Sequence, residues 1–424
     1  MKNRRQILKF LSGITFGAQI SLTHKVTAAT SNQKFVLQIQ TGGGWDVTAF
    51  CDPKINVSGE RKISKWSDND EIKEAGNIPY APFADNSAFF NEYHADMLVI
   101  NGVDTLTNGH SIGATHTWSG RTAVGFPSLT AIYSSYYGDG LAIPYLSFGP
   151  TFSRGENLIQ SIKVDDGSSL RSVLNPFVDV YSGEETQETE LLYKIHEHNT
   201  ISALGYANKS NTVRGNYLNR KSFFDALSSN DQLKFLADSL PGNRDFGNVN
   251  KFEKSIWTAL SAFKAGTTVA ADINHGHQVT QGGWDSHEFN DQKQETLMRN
   301  LTSGIDFLWK KAEELGIAER LLVIISSDFS RTPYYNSGDG KDHWNVGSYI
   351  IMERNQNYTG RVIGSTDEAQ NAIGINPKTL ISDDSVKLVP GHIHKALRKY
   401  LGISGTSADT YFRIDAEEDF DFFS

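Results

Sequence analysis

Gly282-Gly-Trp-Asp285-Ser-His287, a helix-spaced stretch after it, and then Leu321-Leu-Val-Ile-Ile325-Ser-Ser-Asp328 decide the fold. Leu297, Leu301, Ile305, Leu308, Ala312 and Leu315 recur three or four residues apart, which predicts a long helix with one apolar stripe. Gly316 is placed to stop it. The apolar run 321–325 lacks polar alternation, the pattern of a strand covered on both faces in a parallel sheet. Upstream, Thr267-Thr-Val-Ala-Ala271 reads as another buried strand. The order strand, loop, helix, strand is a βαβ unit. It predicts an α/β sandwich of three layers around a mostly parallel central sheet.

Working outward, Phe35 to Gln40 reads as a strand running into Thr41-Gly-Gly-Gly-Trp-Asp46. Met97 to Ile100 and Tyr145 to Phe148 read as two more strands, and His394 to Leu401 as a closing helix. Between about 150 and 250 the pattern turns polar and helical, which predicts an insertion in a single domain over 30–424. Before that domain, Asn3-Arg4-Arg5-Gln6-Ile7-Leu8-Lys9 precedes a mildly apolar stretch and the small residues Ala28 and Ala29. A basic start, a short apolar middle and a small-residue end describe a cleavable export signal over 1–29. The paired arginines resemble the twin-arginine signal, which implies the twin-arginine export machinery as a partner and a periplasmic or secreted location.

Composition narrows the functions. The 424 residues carry a formal net charge of −9, and the five Lys/Arg of residues 1–29 face no Asp/Glu, so cleavage leaves a still more acidic chain. Phosphate-backbone binding needs a basic face, which argues against nucleic acid as partner. The lone Cys51 excludes an internal disulfide and a thiolate metal cage. No apolar run reaches the ~18 residues of a membrane-spanning helix.

The chemistry-bearing residues fall on loops after predicted strands: Asp46; His110 with His116; Asp285 with His287; and Asp328 followed by Asp342-His343. Open α/β sheets place ligands at the carboxyl ends of their strands. Carboxylates gathered there repel one another, and a cation compensates them. Carboxylate plus imidazole suits Zn, Mn or Fe, whereas carboxylates alone suit Mg or Ca. An Asp just after a strand also serves as a helix N-cap, and His116 reads as a packed or loop histidine. His275 and His277, and His392 and His394, read as solvent-facing or capping residues.

Gly-Gly-x-Asp after the first strand, Gly-Gly-Trp-Asp-Ser-His, Ser327-Asp-Phe-Ser-Arg-Thr-Pro333 and Gly340-Lys-Asp-His-Trp344 occur in the order seen in a bacterial family, domain of unknown function 1501. The chain resembles that family over roughly 34–402. The family is grouped with the alkaline phosphatase and sulfatase superfamily, so the resemblance implies an alkaline-phosphatase-like sandwich and a divalent metal. It implies metal ligation by Asp46, Asp285, His287, Asp328 and His343, with Phe329 standing near where that superfamily has a further imidazole. Counting back from Ser119-Gly120 to the superfamily's nucleophile position lands on His110, with Ser111 adjacent. His110 as ligand or nucleophile, Ser111 as nucleophile, and loss of covalent chemistry all stay open. Arg331 or Arg121 would pair with anionic oxygens. The expectation is a metal-dependent hydrolase of a small anionic phosphate or sulfate ester. The alternative is a non-catalytic metal- or glycan-binding or assembly protein on the same fold.

Overall fold

A computed structural model describes residues 33–149 except 124, residues 230–240, residues 249–424 except 278, and short pieces between 158 and 174. The expected export signal and most of the expected helical insertion lie outside the described residues. Among the described residues the central sheet has eight strands: β1 (Phe35–Thr41), β2 (Met97–Asp104), β3 (Tyr145–Phe148), β4 (Ser161–Val164), β5 (Ala270–His275), β6 (Leu321–Ser326), β7 (Val346–Met352) and β8 (Arg361–Ile363). Their spatial order is β8-β2-β7-β6-β1-β5-β3-β4. Only β7 runs antiparallel, pairing with β2 and β6. The remaining pairs are parallel. The sheet is mostly parallel, as the uninterrupted apolar runs predict.

The longer helices among the described residues are α1 (Asn86–Tyr93), α2 (His110–Ser119), α3 (Leu129–Tyr137), α4 (Asn230–Ser239), α5 (Lys251–Lys264), α6 (Asn290–Glu314) and α7 (Pro390–Tyr400). On one face of the sheet, Phe35, Leu37 and Ile39 of β1 and Leu321, Val323 and Ile325 of β6 pack with the apolar stripes of α1, α5 and α6. On the other, Val36, Leu322 and Ile324 pack with Leu129, Ile132 and Tyr133 of α3 and Ile393 and Leu397 of α7. Each such side chain removed from water contributes about 1.5–3 kcal/mol. Polar side chains also meet that second face, where Gln38 and Gln40 donate to the carbonyl and hydroxyl of Thr117 in α2. Helix α2 is thereby fixed on the sheet with its first residue, His110, at the strand ends.

The βαβ unit is β5, α6 and β6, with β1 inserted between the two strands. Helix α6 ends where Gly316 predicts: the Gly316 amide bonds to Glu313 O and the Ile317 amide to Ala312 O. The strand expected over 267–271 runs over 270–275 instead. Thr267 and Thr268 spend their hydroxyls on the carbonyls of Ala262 and Ile143, which makes them a turn. The closing helix begins four residues early, at Pro390, whose fixed φ suits a first helical turn. Within the expected insertion, β4 is an edge strand of the main sheet and α4 is helical. No helix among the described residues is long and apolar enough to cross a membrane.

Candidate metal centre

The parallel strands deliver their loops to one edge of the sheet. β2 leads to His110, β5 to Asp285 and His287, and β6 to Asp328. The short antiparallel ribbon of Ser330–Arg331 with His343–Trp344 sets His343 beside Arg331 just before β7 enters from the same edge. Ligand atoms of His110, Asp285 and His343 lie within 4.8 Å of one another. His287 joins them, its Nε2 lying 3.1 Å from Asp285 Oδ1 and 2.9 Å from His343 Nε2. His343 Nε2 is 3.3 Å from the same oxygen, and His110 Nε2 is 3.7 Å from Asp285 Oδ2.

The other ring nitrogens decide the tautomers. His110 Nδ1 donates to Asp328 Oδ2 at 2.6 Å, His287 Nδ1 to Asp342 Oδ1 at 2.9 Å, and His343 Nδ1 to the Asn108 carbonyl at 2.8 Å. A carboxylate and a carbonyl only accept, so all three Nδ1 atoms carry hydrogen. In the neutral rings the three Nε2 lone pairs then point at the Asp285 carboxylate. Lone pairs facing lone pairs at hydrogen-bond distance require a proton or a cation between them. An imidazole whose far N–H rests on a carboxylate or carbonyl is also the usual metal-ligand arrangement. The donor set fits a divalent ion.

Where no metal ion lies between these atoms, a proton takes its place. Hydrogen bonds to Asp285 and Asp328 raise His110 to about 9 against the opposing effect of burial. Burial pushes Asp285 up, but His110, His343 and the charges of Arg331 and His287 outweigh it and hold its carboxyl well below the usual range. Hydrogen bonding from His287 likewise lowers Asp342.

Asp328 is buried and supports the cluster through His110. Its carboxylate also accepts from the amides of Gly43 and Phe329 and from the Ser327 hydroxyl. Gly43 has φ +122°, and a Cβ there would come within 2.4 Å of the Asp285 amide, so only glycine lets this turn touch both loops. Phe329 lies against the rings of His110 and His343, with centroids 4.7 and 4.5 Å away, and walls the inner side of the site with apolar surface.

Arg331 is fully buried, and four of its five N–H groups bond within the chain. They go to Gly43 O, to Gly44 O at 3.0 Å, to Lys341 O at 3.1 Å and to Asp285 Oδ1 at 2.8 Å. It therefore orients Asp285 and has no face for a substrate oxygen, a correction to the anion-binding role expected of it. Arg121 pairs with Asp415 and the Arg413 carbonyl, away from the cluster.

Asp46 stands apart. Its side chain is 1% exposed and forms an ion pair at 2.8 Å with Lys341, itself 1% exposed. Asn290 and both the amide and hydroxyl of Thr48 complete its bonding, and it caps the short helix Val47–Ala49. The three acidic side chains thus do not share one cation: Asp285 and Asp328 meet through His110, and Asp46 has a lysine. Lys341 was missed from the sequence, although it sits inside the Gly340-Lys-Asp-His-Trp344 string.

Ser111 is exposed in the first turn of α2, and among the described residues its hydroxyl bonds to no cluster residue. His116 is a packed histidine, bonded to Thr105 O. His275 and His394 are fully buried, contrary to the solvent-facing expectation. His275 bridges Trp284 and Asn300, and His394 donates to Thr117 O, so both serve the core.

A family model described as Protein of unknown function (DUF1501) matches residues 226–383. Over that segment the chain is similar to the DUF1501 family. The segment carries Asp285, His287, Asp328 and His343, while His110 and Asp46 precede it. None of the curated proteins matches the sequence. Among solved structures, the chain is similar to the PsFucS1 sulfatase from Pseudoalteromonas sp., with 10% identity, TM-score 0.41, and coverage of 90% of this chain and 70% of that one. It is similar to the alkaline phosphatase from the Antarctic bacterium TAB5, with 8% identity, TM-score 0.35, and coverage of 78% and 94%. The lipoteichoic acid synthase LtaP from Listeria monocytogenes gives 9% identity, TM-score 0.36, and coverage of 99% and 80%. Likeness at these scores assigns nothing to the site.

Proposed function

We propose that this chain holds one divalent metal ion through His110, Asp285, His287 and His343 and hydrolyses a small phosphate or sulfate ester beside it. The observation that carries the reading is the shared tautomer of the three histidines, each Nδ1–H anchored outward and each Nε2 facing Asp285. An imidazole-rich donor set favours Zn, Mn or Fe over Mg or Ca. A second ion next to Asp46 has no role in this reading, because the Lys341 ammonium already supplies the charge there.

Bound in that set, such an ion supplies Lewis acidity toward an ester oxygen. The chain does the rest. Asp328, Asp342 and the Asn108 carbonyl fix the imidazole orientations, Arg331 fixes Asp285, and Phe329 keeps water from the inner wall. Amides in the first turn of α2, next to His110 and Ser111, offer donors to an anionic group. Ser111, exposed and adjacent to His110, is the hydroxyl offered for a nucleophilic role, whereas Ser286, between Asp285 and His287, is buried and donates to Asn290.

A second reading, a non-catalytic metal- or glycan-binding or assembly protein, is favoured by one observation: Ser111 has no base partner among the described residues. The export reading belongs to the proposal as well, and the paired arginines and small-residue end of residues 1–29 support a periplasmic or secreted protein. The test is turnover of 4-nitrophenyl phosphate, bis(4-nitrophenyl) phosphate and 4-nitrophenyl sulfate by zinc- and manganese-loaded protein. Hydrolysis abolished by His343→Ala supports the hydrolase. Stoichiometric metal with no turnover of any of the three supports the binder.

A further inference from the structure

Beside the cluster lies an open hollow of about 560 Å³, lined by Asp285, His287, Glu288, Phe289, Gln292 and Lys293. Two of these residues belong to the candidate metal centre, so the hollow and the centre are continuous. Phe289 is 59% exposed, and its backbone is left-handed, with φ 51° and ψ 50°. A bulky aromatic residue rarely adopts that conformation, and the ring, being exposed, returns little burial in exchange. The surrounding loops enforce it. The Phe289 amide bonds to Gly338 O, and the Asn290 amide to Asp339 O at 3.0 Å. Gly340 lies so close that a Cβ there would be 1.9 Å from His287 O.

The floor of the hollow is the first turn of α6. That helix has no side-chain cap, because Phe289 occupies the N-cap position. Lys293 gives one hydrogen bond to the Asp285 carbonyl at 2.6 Å, and an ammonium has three donors. A strained, exposed ring thus borders a polar hollow, where Glu288, Gln292 and Lys293 offer acceptors and donors next to a metal-type cluster. Such a surface matches a ring-bearing group with polar substituents.

We propose that Phe289 is the platform on which the ring of the ester's alcohol part stacks, with Gln292 and Lys293 taking its polar substituents. The inference rests on the ester reading above and names its substrate class: esters of ring-bearing alcohols, sugars included, rather than of short-chain alcohols. Phe289 is a specificity-determining residue and takes no part in holding the metal.

The test is calorimetric binding to zinc-loaded protein of two non-hydrolysable pairs, methylphosphonate against phenylphosphonate and methanesulfonate against benzenesulfonate. The ring-bearing member of the binding pair is expected to be tighter by about 3- to 10-fold, the range one ring contact supplies. Phe289→Ala removes that preference, Phe289→Tyr keeps it, and neither changes zinc content or binding of the methyl compound. Equal binding of both members in the unaltered protein, or a preference that survives Phe289→Ala, overturns the inference and leaves the ester reading standing. Binding of none of the four overturns both.

Discussion

Replacing Asp328 by Asn tests how the cluster is held. The Phe329 amide donates to Oδ1 of this carboxylate, the Gly43 amide straddles both oxygens at 3.1 and 3.2 Å, the Ser327 hydroxyl divides its proton between Oδ1 and the Thr41 carbonyl, and His110 Nδ1–H approaches Oδ2 at 2.6 Å. An Asn side chain has one oxygen, and with that oxygen on the side of the Phe329 and Gly43 amides its NH2 group faces His110. A donor then meets a donor, and the ring escapes by moving its proton to Nε2. That proton occupies the position from which Nε2 would ligate. Loss of such a supporting contact costs about 10- to 100-fold in metal affinity, and the tautomer change places Asp328→Asn near the upper end, about 2.7 kcal/mol. The fold keeps the amide hydrogen bonds on the Oδ1 side and loses only about 1 kcal/mol. Zinc affinity measured by competition with a chelator, together with urea unfolding of the zinc-free protein, separates the two effects. Affinity within about threefold of the unaltered protein, with folding intact, refutes the tautomer argument.

The remaining predictions concern stability. Lys341→Met strands the Asp46 carboxylate in the interior and is expected to cost about 3–5 kcal/mol, while the double variant with Asp46→Asn recovers much of it; urea titration of the three variants closes the cycle. Phe289→Gly relieves a left-handed aromatic and is expected to raise stability by about 1 kcal/mol in the same assay, showing that the strain is kept for a purpose other than folding. Burial lowers His394 to about 3 and His275 to about 4. The unfolded chain takes up both protons below about 6.5 and the native one does not, so stability is complete above that pH and falls as acid is added. The loss is on the order of 3 kcal/mol for each histidine by pH 4, read from denaturant midpoints at pH 7 and pH 4.

The β5-α6-β6 unit was legible because its pattern is local: an apolar stripe at helical spacing, a stop at Gly316 and a run of five aliphatic residues. The loop positions of Asp285, His287, Asp328 and His343 followed from it. What the sequence concealed is which partner each acidic group takes. His110 and Asp328 are 218 residues apart, and Asp46 and Lys341 are likewise distant in the sequence. Strand order alone brings them together, and it puts a lysine where a shared cation was expected. His275 and His394 looked like loop or helix-end residues because the strand and helix boundaries were displaced by a few positions. Four residues added to the front of α7 are enough to turn His394 inward.

X-ray absorption spectroscopy of the zinc-loaded, full-length protein addresses the central claim most directly. The account predicts one zinc per chain, held by three imidazoles and one carboxylate, with one imidazole fewer in His110→Ala. Zinc that keeps the same coordination when His110 and His343 are both replaced, or protein that takes up no metal at all, contradicts it.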